Sequence, residues 1–154
     1  MRSKPVGTVL VAVLMAAVLS LSGCAAGVEA PHPDQPTASL CRALVKDLPS
    51  RVDDQSRRDV KPDTGLTAAW GHPAITLACG VAKPTGMNAA SRCWEVDGVG
   101  WYQDERDSDI RFTTLGRQAL VQVTVPNKYA PQANALTDLA KPIDRHIPVT
   151  QKCV

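Results

Sequence analysis

The chain has 154 residues, a length typical of one domain. Its 17 basic and 15 acidic side chains give a formal net charge of +2, an excess too small to indicate a nucleic-acid-binding surface. Twelve prolines and ten glycines predict many turns, but they are too few and too scattered for a disordered chain. Composition therefore predicts a small folded domain and leaves its activity open.

The start of the chain has the order of a lipoprotein leader. Two basic residues precede an uncharged, mostly apolar stretch over Pro5–Leu21, and a lipobox follows, Leu21-Ser22-Gly23-Cys24. This order predicts a signal peptide over 1–23 and fatty acylation of the Cys24 thiol. The alternative is a retained membrane-spanning helix, since about 20 apolar residues cross a bilayer. In that case Cys24 would be an unpaired fifth cysteine.

Cleavage before Cys24 changes the charge of the protein. It removes Arg2 and Lys4, so that 15 basic side chains remain against 15 acidic ones. A formally neutral domain has no electrostatic reason to bind a membrane, so attachment depends on the acyl chains, two or more of which give stable anchoring. We therefore expect the protein on the outer face of the cytoplasmic membrane.

Residues 24–38 are predicted to form a tether, and 39–154 the single folded domain. The stretch after Cys24 lacks hydrophobic periodicity and carries three prolines. Extended at about 3.1 Å per residue, it would hold the domain roughly 40 Å from its acylated end. His32, within this stretch, is expected to be solvated rather than a ligand.

The other four cysteines are expected to form two disulfides, because an even number in an exported chain is typical of crosslinking. No cysteine spacing matches a structural zinc site. Three connectivities are open, and side-chain phase favours one of them. Cys41 falls on the apolar face of a helix and Cys79 on the inward face of a strand. We therefore predict the pairs Cys41–Cys79 and Cys93–Cys153.

The first half of the domain begins with a predicted helix over Leu40–Leu48, capped by Ser39. Residues 50–63 carry no pattern. A short helical stretch is predicted from Asp63 or Thr64 to Trp70. A strand follows over 73–81, where apolar and polar residues alternate.

The second half is predicted to contain two hairpins and a helix. Asp97-Gly98 lies between alternating apolar residues, a strong hairpin signal that pairs Trp94 with Trp101. Strands over 110–115 and 118–125 form the second hairpin. The last helix, over 129–147, is expected to be kinked or split by Pro142. The order predicts an α+β fold, with an antiparallel sheet of four to five strands covered on one face by the two helices.

Seven segments and the leader together resemble an actinobacterial family of small secreted lipoproteins, the domain of unknown function 3515 family. The segments are Cys41–Leu44, Leu48-Pro49, Ala69–Gly71, Leu77–Gly80, Glu95–Trp101, Phe112–Thr114 and Val121–Pro126. The similarity spans roughly 40–147. It implies a high-GC Gram-positive source and an envelope location, with no assigned activity and no catalytic residue. It also implies that the pair at Cys41 and Cys79 is the commoner one.

The sequence shows no catalytic or nucleotide-binding motif, since G-x-S-x-G, G-x-G-x-x-G and a P-loop are all missing. Three scattered histidines predict no metal site. The candidate binding surface consists of Trp70, His72, Trp94 and Trp101, with tryptophan the residue enriched at binding hot spots. The alternative is that the tryptophans fill the core under the helices.

These observations favour a lipid-anchored envelope protein that is not an enzyme and needs no cofactor. It would act as an interaction or accessory module for an envelope protein partner. The alternative is a ligand-binding lipoprotein with a pocket between sheet and helices, for a cell-wall fragment or a lipid. A hydrolase of unrecognised type is less favoured.

Overall fold

The computed structural model describes residues 25–153. The fold is α+β, with two helices and an eight-stranded antiparallel sheet, and the helices contact the sheet. The predicted signal peptide and the acylation site Cys24 lie outside the described residues. The strands are β1 (Ala26–Gly27), β2 (Arg51–Val52), β3 (Gln55–Arg58), β4 (Val60–Lys61), β5 (Thr67–Trp70), β6 (Ile75–Cys79), β7 (Trp94–Val96), β8 (Val99–Glu105), β9 (Asp109–Thr114) and β10 (Val121–Pro126), and the helices are α1 (Gln35–Asp47) and α2 (Asn134–His146).

The strand order in the large sheet is β2-β3-β5-β6-β10-β9-β8-β7. From β5 onwards, β5–β6, β7–β8, β8–β9 and β9–β10 pair as hairpins, and β10 also pairs with β6, so that it lies between β9 and β6. β1 and β4 form a separate parallel pair, in which Ala26 lies opposite Val60. No helix in the stretch from 25 to 153 is long and apolar enough to cross a membrane.

The sheet is wider than the four to five strands predicted. Two of the extra strands, β2 and β3, lie within residues 50–63 and are too short and too polar to show alternation. The same holds for β4, which pairs with β1 outside the large sheet. The short helix predicted up to Trp70 is also wrong, because this segment forms β5 between β3 and β6. All four residues of β5 are buried, so burial on both faces removed the alternation that identifies a strand.

Helix α1 begins earlier than predicted. Asp34 is the N-cap, and its Oδ1 accepts a hydrogen bond from the Thr37 N–H at 3.0 Å. Hydrogen bonding from Thr37 lowers the pKa of the Asp34 carboxyl group. Ser39 lies inside the helix, where its hydroxyl donates to the Gln35 carbonyl. Pro36 is compatible with the first turn because its missing N–H has no helical acceptor there.

The two hairpins predicted in the second half are confirmed. Trp94 lies opposite Trp101 in the β7–β8 pair, and β9 pairs with β10 around the turn at Gly116. A further hairpin, between β8 and β9, has its turn at residues 106–108. The last helix begins at Asn134 rather than at 129, because a 3-10 turn (Asn127–Tyr129) and non-helical turns at 130–133 precede it. Pro142 lies within α2 and does not divide it.

Both predicted disulfides are confirmed. Cys41 in α1 joins Cys79 in β6 through the core, with their Cα atoms 5.4 Å apart. Cys93 joins Cys153, with Cα atoms 5.8 Å apart, and fastens the end of the described chain to β7. Gly100 makes room for this second bridge, because a Cβ there would lie 2.6 Å from Cys153 Sγ.

One face of the sheet packs against the helices. Alternate residues of β6 and β10 are buried in the same core cluster as Leu44, Leu136 and Ile143 of the two helices. The intervening residues of β6 and β10 point to the opposite face and are only partly buried. We call this second face the open face.

The predicted tether is corrected, because residues 26–34 lie against the domain. The Ala26 N–H donates to the Asp59 carbonyl at 2.9 Å, and Val28 is 92% buried. Pro33 packs on Gly80, where a Cβ would lie 2.7 Å from Pro33 Cγ and φ is +87°. Composition alone does not show this docking, since prolines suit an extended docked segment as well as a free spacer. We call residues Ala26–Pro33 the N-terminal strap.

Asp34→Ala is predicted to lower the free energy of unfolding by about 1 kcal/mol, because the Thr37 N–H loses its partner. Ser39→Ala is the matched control and should change stability by less than about 0.5 kcal/mol, since Ser39 is exposed and interior to the helix. Urea denaturation of both variants checks this. Equal losses, or a larger loss for Ser39→Ala, would contradict the assigned cap.

Candidate functional site

The four residues of the sequence-predicted binding surface do not form one surface. Trp70 and Trp101 are fully buried in the core. Trp70 donates from Nε1 to the Pro49 carbonyl at 3.0 Å, and Trp101 packs edge-on against Phe112. These two tryptophans therefore stabilise the domain and are not available to a ligand.

The other two predicted residues are exposed but separate. Trp94 is 48% exposed because β7 is the edge strand, and the Arg92 guanidinium lies 5.0 Å from its ring centre. His72 lies in the turn before β6, with its Nδ1 3.3 Å from Arg58 Nη1. Trp94 and His72 therefore lie in different parts of the sheet and do not line one pocket.

The strap instead creates a groove on the open face. Two open clefts, of about 580 and 220 Å³, lie between residues 27–32 of the strap and the sheet. Both clefts are lined by Glu29, Ala78 and Gln122, so they lie side by side. A third cleft of about 470 Å³ continues past Thr76 and Thr124 towards Asn127. We call these three clefts together the strap groove.

Arg111 is the cation on the floor of the strap groove. The sheet register places it between Asp104 of β8 and Thr124 of β10. Its Nε atom is buried and has no hydrogen-bond partner among the described residues. The ion pairs found within residues 25–153 do not include Arg111. A guanidinium with unused donors in a groove can bind a carboxylate or a carbonyl oxygen of a ligand.

Polar side chains around Arg111 give the strap groove further binding capacity. Thr76, Gln122 and Thr124 line it from the sheet, and Glu29 lines it from the strap. Hydroxyl and amide groups donate and accept hydrogen bonds, and the guanidinium and carboxylate add both signs of charge. The strap groove is therefore suited to an extended polar ligand, such as a peptide backbone with its side chains.

Part of this site could be predicted from the sequence. The alternation of β6, β9 and β10 predicts that Thr76, Arg111, Gln122 and Thr124 point away from the helices. The docking of the strap could not be predicted, because a proline-rich segment without periodicity does not indicate which surface it packs against. The one indication of docking in the sequence was the pair of apolar residues Ala26 and Val28. The structure buries both of them in a cluster with Ala69.

A second cavity lies beside the Cys93–Cys153 disulfide. It measures about 330 Å³, and Lys83, Met87 and Lys152 are among its lining residues. Met87, in the loop after β6, is buried beside it. Most of this wall consists of loop residues and the disulfide itself, so we regard the cavity as a consequence of the crosslink.

A small charged cluster joins the C-terminal ends of the two helices. Asp47 Oδ2 lies 2.6 Å from Arg145 Nη1 and 3.0 Å from His146 Nε2. The hydrogen bond with His146 lowers the pKa of Asp47, and the charge of Arg145 acts in the same direction. Within residues 25–153, no group of three or more His, Cys, Asp or Glu side chains is arranged to hold a metal ion. The cluster therefore has a structural explanation as a link between helices.

The fold and its crosslinks define a small α+β protein with two disulfides, which indicate an extracytoplasmic location. The chain matches the family described as "Protein of unknown function (DUF3515)" over residues 5–152, and it belongs to this family. No curated protein and no solved structure matches the chain.

Two arginines allow a test of whether Arg111 serves stability or binding. Arg111→Met keeps the apolar stem and removes a group that satisfies no partner, so the free energy of unfolding should change by less than about 0.5 kcal/mol or rise. Arg117→Met is the contrast. It loses hydrogen bonds to Ile147, Gly98 and Asp144 and should destabilise by about 1–3 kcal/mol.

Urea denaturation of the two arginine variants measures the difference. The assignment of Arg111 to binding requires a clearly smaller loss at position 111 than at position 117. A loss above about 1 kcal/mol for Arg111→Met would mean that its guanidinium stabilises the fold.

Proposed function

We propose that the protein is a lipoprotein held on the outer face of the cytoplasmic membrane by acylated Cys24. It acts there as a non-enzymatic interaction module, and the strap groove is its contact surface for an envelope protein. The leader and lipobox support the anchor, and the two disulfides support the extracytoplasmic location. The observation that carries the contact surface is the groove with unpartnered Arg111 on its floor.

The occupant that fits this groove best is an extended polypeptide segment. Three adjacent clefts follow the strands, and their walls present hydroxyl, amide and charged groups at intervals. A peptide has carbonyl and amide groups at similar intervals, and its carbonyl or carboxylate oxygens would take the Arg111 donors. Envelope proteins with exposed extended segments are therefore the expected partner class.

A second candidate function is the binding of a cell-wall fragment in the same groove. A cleft of about 580 Å³ lies in the size range of small-molecule sites. The location considered from sequence, between sheet and helices, is not supported, because side chains of both helices and the sheet fill that space as one core cluster.

Site-specific photo-crosslinking in intact cells tests the proposed contact surface. A photoreactive amino acid at Gln122 lies in the strap groove, and one at Lys141 lies on the exposed side of α2. We expect a discrete protein adduct from position 122 and none from position 141. Arg111→Met should reduce the adduct at position 122 by about tenfold, as expected for one charge-assisted hydrogen bond.

Intact-mass analysis of the same purified protein is the control for the anchor. The account requires loss of residues 1–23 and a mass increase from fatty acid on Cys24. An uncleaved leader, or a cleaved chain without acyl mass, would contradict the lipoprotein assignment. Equal adducts from positions 122 and 141 would contradict the groove as the contact surface and leave the anchor standing. A small adduct at position 122 would favour the cell-wall fragment.

A further inference from the structure

We propose that one end of the domain lies directly against the phospholipid headgroups, with no spacer between bilayer and fold. This end consists of the turn His72–Ala74, the turn 106–108 and the 3-10 turn Asn127–Tyr129, and we call it the 74/108/128 end. The proposal rests on the acylation of Cys24 proposed above. It concerns the orientation of the domain and the surface that touches lipid, which acylation alone does not determine.

The first step is a distance. Cys24 precedes Ala26 by two residues, and two residues of chain span at most about 7 Å. Ala26 is fixed to the fold through its hydrogen bond to Asp59 and its burial beside Ala69. The headgroup layer on each side of a bilayer is about 5–8 Å thick. An acyl chain on Cys24 therefore brings the Ala26 region into contact with headgroups.

The second step identifies which part of the fold lies beside Ala26. Ala74 packs in the same apolar cluster as Ala26, at the start of β6. Ala74 also lines the 470 Å³ cleft together with Ser108 and Lys128. The strap runs away from this end, because Pro33 reaches Gly80 beyond the other end of β6.

The three turns are joined into one rigid surface by hydrogen bonds. The Lys128 ammonium donates to the His72 carbonyl at 2.9 Å, and the Asn127 N–H donates to the Ser108 carbonyl at 3.0 Å. The Asn127 side chain also donates to the Asp107 carbonyl. A membrane that touches one of these turns therefore lies close to all three.

The opposite end of the sheet faces away from the bilayer. It carries Gly116 and the cavity beside the Cys93–Cys153 disulfide, lined by Lys83 and Lys152. β9 runs from Asp109, at the 74/108/128 end, to Thr114 just before Gly116. The strap groove consequently opens at the bilayer surface through its 470 Å³ cleft and extends away from it.

Lysine labelling of the acylated protein tests this orientation. The natural lipoprotein is reconstituted in vesicles of phosphatidylcholine, or of phosphatidylcholine and phosphatidylglycerol in equal parts, and treated with a membrane-impermeant amine reagent. A chain that begins at Cys24→Ser and carries no lipid is the soluble reference. We expect the labelling rate of Lys128 to fall by about fivefold or more on vesicles of both kinds. The rates of Lys83 and Lys152 should stay within about twofold of the reference.

A spacer variant separates geometry from general membrane contact. A Gly-Ser insertion of about 20 residues between Ala25 and Ala26 spans roughly 25 Å and leaves the strap intact. Labelling of Lys128 should then return to the rate of the soluble reference, while flotation with vesicles is unchanged.

The outcomes distinguish this inference from the proposed anchor. Acyl mass on Cys24 together with unprotected Lys128 overturns the orientation alone. Equal protection of Lys83, Lys128 and Lys152 also overturns it, because the domain would then have no preferred end. Missing acyl mass overturns the lipoprotein assignment and the orientation with it.

Discussion

Two backbone hydrogen bonds, from Ala26 to the Asp59 carbonyl and from Val28 to the Lys61 carbonyl, hold the N-terminal strap on the domain. The strap then crosses the open face of the sheet, packs Pro33 against Gly80 and leads into the Asp34 cap of α1. It supplies one wall of the groove and fixes the distance between the fold and any lipid on Cys24. Without this docking, the open face would have no groove, and a linker of roughly 40 Å would separate the domain from Cys24.

The rest of the architecture explains why the strap has a fixed surface to lie on. The Cys41–Cys79 disulfide joins α1 to the central strand β6, and the buried residues of α2 complete the same core. A small domain gains rigidity from such crosslinks, because its core alone supplies limited stability. The polar side chains of β6, β9 and β10 are thereby held on the face that the helices leave uncovered. A stable core on one face and unused donors on the other are consistent with binding.

Sequence patterns predicted the parts of the fold that depend on local signals, namely side-chain alternation and turn residues. The Asp97-Gly98 hairpin, the β9–β10 pair and the disulfide connectivity follow from alternation and turn chemistry, and all three are confirmed. β5 was mistaken for a helix because burial on both faces removes alternation, and residues 50–63 form strands too short to show it. The groove was beyond sequence reasoning because it depends on a long-range contact, between a proline-rich segment and a strand about 35 residues later. The prediction of a shared binding surface at Trp94 and Trp101 was wrong for a related reason. The position of each strand in the sheet leaves Trp94 exposed and Trp101 buried.

The docking of the strap is the claim that both the groove and the membrane orientation require. Amide hydrogen exchange measured by NMR on the chain from residue 25, with its disulfides intact, tests it directly. The account predicts that the Ala26 and Val28 amides exchange at least about tenfold more slowly than the amide of Glu29, an exposed residue of the strap, because both donate to backbone carbonyls of the domain. Equal, unprotected exchange at all three positions would show that the strap is free and would contradict the account.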